Sequence, residues 1–452
     1  MERIPPLKIG PAGVRGIAGR TLTPRLAASF GAAFGTCCAR GAVMIGTDTR
    51  PSREMVTQAV VSGLLSTGCT PVVLGIVPLP AMQFYVGRAG AAGGIYVSAS
   101  HNPAEWNALK FLGSDGALLR PNRFAELLDL YHQGIYARVP SEEIPEIQVR
   151  SGAIAEHRRR IVEAVAIETI RERAFRVAVD CCNGAASQAA PEFLRELGCE
   201  AIEVFADAGA PFPRDPEPVA ANLAELCRAV RAAGADAGFA LDADADRLAL
   251  VDERGEPLGE DCTVALAIDH MLRRTPGPAV VNLSTSRLVD DVAARHGRPV
   301  FRTRVGEIHV LERMQACGAP VGGEGNGGVI VPALNPCRDA FAAMALILEF
   351  LAESGILLSG WRRRWPEYVL VKRRIPCRQR DVARILRLVR HLYREDEQDL
   401  TDGVLVRRSD GWLHVRGSLT EPVVRVIAEA PTEQEVRALL RPLEQYLLTG
   451  EV

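Results

Sequence analysis

Read for its alternation of apolar and polar positions, the chain falls into short β-branched runs separated by amphipathic stretches that open on helix-start signals. Thr23-Pro24 announces a helix, and the apolar run Ala42-Val43-Met44-Ile45-Gly46 behind it predicts a buried strand. The pattern recurs where Val177-Ala178-Val179-Asp180 precedes a turn at Asn183-Gly184, and again where Ala279-Val280-Val281-Asn282-Leu283 precedes Ser284-Thr285-Ser286. Strands that alternate with helices predict an α/β architecture, built here from three similar units in series. In each, a strand ends at a polar turn that opens a helix, which is where ligands gather in open α/β sheets. Arg138 to Ala153 is polar, proline-containing and weakly periodic, so it reads as a link, and Arg254-Gly255 reads as a turn closing the second unit near Asp252. From Ala340 a long apolar helix is predicted to run to about Ser354, and Trp361-Arg362-Arg363-Arg364-Trp365 introduces a tail of different chemistry. The expected division is therefore 1–145, 146–252, 253–362 and 363–452, in keeping with roughly three or four domains for a chain this long. The units resemble one another in pattern and not in residue identity, so no sequence repeat is inferred.

Composition narrows the partners. Apolar residues at 48%, charged residues at 24% and a net charge of -2 leave no basic excess that would recruit nucleic acid or an anionic membrane. The opening Met1-Glu2-Arg3-Ile4-Pro5-Pro6 lacks the apolar core of a signal peptide, and no apolar run is long enough to span a bilayer, so a cytoplasmic protein is expected. Eleven cysteines are scattered, odd in number and without a C-x-x-C pair, which predicts reduced thiols and no cysteine-built zinc site.

Four segments carry chemistry. In the first, the strand Gly94-Ile95-Tyr96-Val97 empties into Ser98-Ala99-Ser100-His101-Asn102-Pro103, a tight turn with two serines and a histidine. Taken alone it fits a structural loop as well as a nucleophile. Lys110 is a cation able to steady a phosphate there, or an ordinary solvated lysine at a strand edge. The second segment, Leu241-Asp242-Ala243-Asp244-Ala245-Asp246-Arg247, sets three carboxylates at alternate positions after an apolar strand. Like charges so crowded need a cation, and hard oxygens suit magnesium, while the glycine and distant glutamate of a calcium-binding EF-hand are missing. The third is Gly322-Gly323-Glu324-Gly325-Asn326-Gly327-Gly328, whose glycines permit a tight turn and whose Glu324 and Asn326 can pair with polyol hydroxyls; it has neither a dinucleotide fingerprint nor a P-loop, and a plain turn is the alternative. The fourth is Arg416-Gly417-Ser418-Leu419-Thr420-Glu421-Pro422, in which Arg416 can fork a phosphate, Ser418 and Thr420 add donors, and Arg425 stands near; an Arg416–Glu421 surface pair is the plainer alternative. A hydroxyl nucleophile, a hard-metal site, a polyol turn and a phosphate clamp together make the parts of phosphoryl transfer to or from a sugar.

In order, and over essentially the whole chain, these segments resemble the α-D-phosphohexomutase family, whose members share a Thr/Ser-Ala-Ser-His-Asn-Pro loop, an Asp-x-Asp-x-Asp-Arg loop, a Gly-Glu loop and an Arg-x-Ser-x-Thr-Glu-Pro loop. Smaller matches are Gly13-Val14-Arg15-Gly16, Gly46-Thr47-Asp48-Thr49-Arg50-Pro51-Ser52 and Asp180-Cys181-Cys182-Asn183-Gly184-Ala185. The resemblance implies three α/β sandwich domains and a smaller α+β C-terminal domain around a central cleft, one loop from each. It implies that Ser100 carries the phosphoryl group and that one Mg²⁺ is held by Asp242, Asp244 and Asp246, with Ser100 completing its shell. Arg247 and His101 would support that centre, Glu324 and Asn326 would hold the sugar, and Arg416, Ser418, Thr420 and Arg425 the distal phosphate. It also implies a hexose 1,6-bisphosphate as intermediate and activator, and small sugar phosphates as the partners. The sequence departs from the family where a histidine commonly ends the sugar loop: Asn326, Gly327 and Gly328 stand in the last three positions, which leaves Lys110 and Arg15 for proton transfer or charge stabilisation. Gly417 and Leu419 also differ from the commoner phosphate loop. The Gly-Glu-Gly-Asn-Gly-Gly variant, followed by Asn335-Pro336-Cys337-Arg338-Asp339, is similar to the archaeal-type phosphoglucosamine mutase branch. The expected reaction is glucosamine 6-phosphate to glucosamine 1-phosphate, with phosphomannomutase/phosphoglucomutase as the alternative. A magnesium-dependent phosphatase using Asp242 as nucleophile, or a non-catalytic sugar-phosphate-binding relative, are rival readings.

Overall fold

The computed structural model describes residues 7–10, 13–418 and 423–449. Thr23 caps the first long helix, Pro24–Cys37, by accepting the amide of Leu26 at 3.3 Å, with Pro24 occupying a position that needs no amide hydrogen. That helix and Arg53–Leu65 cover a seven-stranded mixed sheet. Its order is Lys8–Gly10, Gly13–Ile17, Trp106–Leu112, Gly93–Val97, Ala42–Thr47, Thr70–Ile76, Gln148–Val149. The central strand Gly93–Val97 is buried at every position, as expected for a strand covered on both faces.

The second sheet has parallel strands Arg176–Asp180, Glu200–Val204 and Ala237–Leu241, with Leu248–Val251 antiparallel at one edge. In the third, Ala279–Asn282, Val300–Thr303 and Val321–Glu324 run parallel, and the chain then doubles back twice through Gly328–Val331 and Asn335–Arg338. These two sheets share one continuous hydrophobic core, whose centre is the helix Ala340–Ser354. Asp339 caps it by accepting the amides of Phe341 and Ala342, and Gly355 ends it in the left-handed conformation. Its one buried charge, Glu349, is matched by His270 at 2.7 Å and by Arg274. Trp361 and Trp365 also belong to this shared core, and Trp361 Nε1 donates to Asp269.

The last unit is an antiparallel five-stranded sheet, ordered Val369–Pro376, Val423–Ala430, Gly411–Gly417, Val404–Arg408, Glu397–Asp399, with its own core beneath the helices Gln379–Leu392 and Glu433–Thr449. It docks on the third unit through a small apolar patch of Leu283, Leu405, Trp412 and Ile427, and through Ser284–His414 and Val305–Asp402 hydrogen bonds of 2.9 and 3.0 Å. The architecture is the expected one: three α/β units and an α+β unit. All eleven cysteines are free thiols. Among the described residues no helix is long and apolar enough to cross a membrane.

Candidate active site

One cleft receives residues from all four sheets, among them Arg15, Ser100, His101, Lys110, Arg247, Glu324, Asn326, Arg416, Ser418 and Arg425. Ser100 reaches it because the buried strand Gly93–Val97 ends abruptly in a turn tied down from below. Ser98 Oγ donates to Asp48 Oδ2 at 2.6 Å and accepts the amide of Ser100 at 2.9 Å. Arg50, fully buried, pairs with Asp48 and donates to the carbonyls of Ser100, Asn102 (2.7 Å), Pro103 (2.6 Å) and Trp106 (3.0 Å). One guanidinium thus satisfies a whole loop of carbonyls and holds Ser100 at a φ of +51°, left-handed for a residue that is not glycine. The serine hydroxyl donates to Asp242 Oδ2 at 2.7 Å, and His101 Nδ1 lies 3.4 Å away. Burial, then the cations of Arg247, Arg15, Arg425 and Lys110, hold the His101 imidazole far below its ordinary pKa, so it is neutral at pH 7.

Asp242, Asp244 and Asp246 follow the strand Ala237–Leu241 in a turn that passes through the left-handed conformation at Ala245. All three are fully buried, and one oxygen of each lies within 4.8 Å of the others. The turn is braced by Asn183-Gly184: a Cβ at Gly184 would fall 2.6 Å from the carbonyl oxygen of Ala243, and the amide of Ala185 donates to that same oxygen at 2.8 Å. Arg214 locks the strand end, bonding Asp180 at 2.8 and 3.0 Å and the Leu241 carbonyl at 2.9 Å. Burial and the charges of Asp244 and Asp246 drive the Asp242 carboxyl well above its ordinary range. Burial pushes Asp244 the same way, but Lys110 Nζ at 2.5 Å, the hydrogen bond with Asp242 and the Arg338 charge together outweigh it and hold that carboxyl low. Lys110 is no solvated edge residue, as it lies in the sheet interior with its side chain almost wholly buried. Among the described residues, Asp244 Oδ1 and Asp246 Oδ1 are buried with no hydrogen-bond partner. Two such carboxylate oxygens, beside a third carboxylate that accepts the hydrogen bond of the serine hydroxyl, fit a hard divalent cation.

Glu324 ends its strand facing the cleft. Oε1 accepts Asn282 Nδ2 at 2.8 Å and the amide of Gly306 at 2.9 Å; Oε2 accepts Arg338 Nη1 at 2.8 Å. Burial opposes its charge, but Arg338 and these donors overcome it, so the carboxyl is held below its ordinary range and remains ionised. Asn326 lies on the same turn, with its Oδ1 accepting the amide of Gly328.

Across the cleft, Arg416 and Arg425 are cross-strand partners in the C-terminal sheet. Like charges placed directly opposite repel unless an anion lies between them. Burial and the neighbouring Arg425 charge lower the Arg416 pKa, and its buried Nε has no partner among the described residues. Ser418 continues the strand into this rim, its amide donating to Val423 at 2.9 Å. Thr420, expected to add a donor, lies outside the described residues, as do Leu419 and Glu421.

Arg50, Asp48, Glu307 and the bridging role of Arg338 were not singled out from the sequence. Asp48 and Arg50 did stand in one of the smaller matching segments, and Arg338 in the stretch that marks the branch, so the residues were visible while their partners were not.

The residues matched by known families cover these four units in order. They are described as Phosphoglucomutase/phosphomannomutase, alpha/beta/alpha domain I (residues 6–137), domain II (155–255) and domain III (260–368), and as its C-terminal domain (370–442). Over 441 residues the chain is 39% identical to a protein of Thermococcus kodakarensis named phosphoglucomutase/phosphomannomutase, covering 95% of this chain and 96% of that one. It is 37% identical over 435 residues to a probable phosphoglucosamine mutase of Methanopyrus kandleri, covering 95% of each. A solved structure of a phosphoglucomutase/phosphomannomutase family protein from Burkholderia thailandensis matches with a TM-score of 0.82 at 25% identity, over 96% of both chains.

Proposed function

The chain belongs to the phosphoglucomutase/phosphomannomutase family, the α-D-phosphohexomutases, and on that premise we propose how this phosphohexomutase works and on which sugar. The observation that carries the reading is the Ser100 hydroxyl hydrogen-bonded at 2.7 Å to a buried aspartate beside two orphaned carboxylate oxygens. Ser100, as its phosphate ester, is the phosphoryl donor. Its P–O bond breaks as a new one forms to the free hydroxyl of a bound hexose phosphate, and by the end of the exchange the hydroxyl proton resides on Ser100 Oγ. The resulting hexose 1,6-bisphosphate turns over in the cleft and returns its other phosphoryl group to Ser100. Asp242, Asp244 and Asp246, with an oxygen on Ser100, would hold magnesium, which when bound would supply positive charge to offset the phosphoryl oxygens. Lys110 and Arg247 hold the aspartates and add to that charge.

Arg15, lowered to about 10 chiefly by burial, is still a cation at neutral pH and acts there by charge stabilisation. Its hydrogen bond to Asn102 ties it to the serine turn. Arg416, Arg425, Ser418 and Thr420 hold the phosphate that is not reacting, while Glu324 and Asn326 hold ring hydroxyls. Two fixed ends with a polyol contact between them accept a sugar in either orientation, which a mutase requires and a phosphatase does not.

We assign glucosamine phosphate as the preferred sugar, supported by the branch-like loop Gly-Glu-Gly-Asn-Gly-Gly and by the Methanopyrus relative's name. The Thermococcus relative's name supports the alternative, a phosphomannomutase/phosphoglucomutase. Turnover of glucosamine, glucose and mannose phosphates is to be compared with Mg²⁺ and a trace of hexose 1,6-bisphosphate, with Ser100→Ala as control. The highest kcat/KM on glucosamine phosphate is expected. Preference for another hexose moves the protein to the alternative, and turnover that survives in Ser100→Ala refutes the mechanism.

A further inference from the structure

Gly328 pairs directly with Glu324 in antiparallel register, so a side chain there would rise on the same face as the Glu324 carboxylate. Its neighbour Gly327 has a φ of +87°, but Gly328 itself is not in the left-handed region. The backbone at 328 would therefore accept any residue, and only space requires glycine. A Cβ built on it would lie 2.3 Å from Cδ and 3.0 Å from Cγ of Arg338, far inside van der Waals contact. The room at this position is taken by the arginine, which reaches over from the strand Asn335–Arg338.

Arg338 spends that room on three carboxylates from three different segments. Nε donates to Glu307 Oε2 at 3.1 Å, Nη1 to Glu324 Oε2 at 2.8 Å and Nη2 to Asp246 Oδ2 at 2.6 Å. The side chain is about one-tenth exposed and lies at the cleft wall. Glu307 opens the helix Glu307–Cys317, Glu324 is the sugar-loop carboxylate, and Asp246 belongs to the metal turn. A planar guanidinium can serve three acceptors in fixed directions at once; a lysine ammonium on a flexible stem cannot reproduce that fork.

We propose that Arg338 is a positioning residue that couples the metal turn to the sugar-binding glutamate, and that Gly328 is the space that admits it. Resting on the phosphohexomutase reading above, this gives the missing histidine at 328 a structural counterpart. The bound sugar and the metal aspartate are registered against each other through one cation, and any change that loosens the fork lets Glu324 drift while leaving Asp242 and Asp244 in place. Arg338 is not required to touch the reacting atoms for this role.

The test compares R338K, G328A and the double variant R338K/G328A in full-length protein. Read out are the KM and kcat for the sugar phosphate, Mg²⁺ binding by calorimetry, and the thermal midpoint. R338K keeps the charge and loses the fork, whereas G328A keeps the arginine and takes its room. Both are expected to raise KM about 10-fold or more, on the scale of losing a charge-assisted hydrogen bond, with Mg²⁺ affinity changed much less. Because both act on one link, the double variant is expected to be no worse than the poorer single variant. Wild-type KM in either single variant overturns the proposal, as does a double variant whose effects multiply. A uniform loss of Mg²⁺ binding, midpoint and turnover would make Arg338 a folding residue only. If the unaltered protein binds Mg²⁺ but turns over no hexose phosphate, it is the phosphohexomutase reading that fails.

Discussion

Asp261→Asn is expected to stabilise the protein at pH 8 and to do little at pH 4.5. Asp261 lies in the first turn of the helix Glu260–Arg274, is almost wholly buried, and accepts the amide of Ser286 at 2.8 Å through Oδ1. The same oxygen sits against the sugar loop, 2.1 Å from where a Cβ on Gly325 would be. Burial pushes this carboxyl up to about 7, against the attraction of Lys372 and the Ser286 bond and with the repulsion of Glu260 and Glu429. A folded-state pKa above the unfolded value means that the folded form holds its proton longer. Stability is then complete below about pH 4, falls as pH rises from there to about 7, and is level above. Roughly three pKa units at about 1.4 kcal/mol each bound the loss at about 4 kcal/mol, and about 2 kcal/mol is a fair expectation for the effect of removing it. Asparagine keeps an acceptor for Ser286 and carries no charge to bury. The second and third units share a core, so they melt as one cooperative block, for which about 2 kcal/mol shifts the midpoint by roughly 4–8 °C. Scanning calorimetry of the variant and the unaltered protein at pH 4.5, 6 and 8 measures it. A midpoint that rises equally at all three pH values, or falls at pH 8, refutes the assignment of a buried, proton-holding Asp261.

Three further outcomes follow from the site. Lys110→Met removes the cation 2.5 Å from Asp244, a pair buried on both sides, and is expected to cost about 3–5 kcal/mol at neutral pH in metal-free protein; added Mg²⁺ should raise the melting midpoint more in the variant than in the unaltered protein. Arg50→Lys leaves the serine turn short of donors for its carbonyls, and steady-state kinetics should show kcat reduced on the order of 100-fold with KM little changed. Arg416→Ala is expected to raise KM about 10- to 100-fold and to weaken inhibition by inorganic phosphate in parallel, since both measure the same anion contact.

The residues brought together in the cleft were legible where their pattern is local in the chain. Ser100 and the three aspartates follow apolar strands directly, Glu324 stands in a glycine-rich run, and Arg416 is followed within four positions by Ser418 and Thr420, so each is marked by its immediate neighbours. The helix Ala340–Ser354 was legible because Asp339 and Gly355 bracket a stretch that is apolar up to Glu349 and nearly so beyond it. What could not be read is what distance in sequence conceals. Arg50 serves carbonyls 50 to 56 positions away, and Arg338 reaches an aspartate 92 positions before it, so their roles exist only once the sheets are stacked. Lys110 could be read either as a phosphate-steadying cation or as a solvated edge residue until its strand was seen inside the sheet between Gly13–Ile17 and Gly93–Val97. The change to Gly328 read as the loss of a histidine, because a glycine does not announce which neighbour occupies its space.

The central claim is that Ser100 carries the phosphoryl group. The most direct measurement is to expose the protein to hexose 1,6-bisphosphate labelled with ³²P, locate the label by mass spectrometry, and chase it with unlabelled glucosamine 6-phosphate. Label on Ser100 alone, stable to hydroxylamine, labile to alkali and discharged into sugar phosphate by the chase, is the expected result. A hydroxylamine-labile label on Asp242, or a protein that takes up no label while turning over substrate, would contradict it.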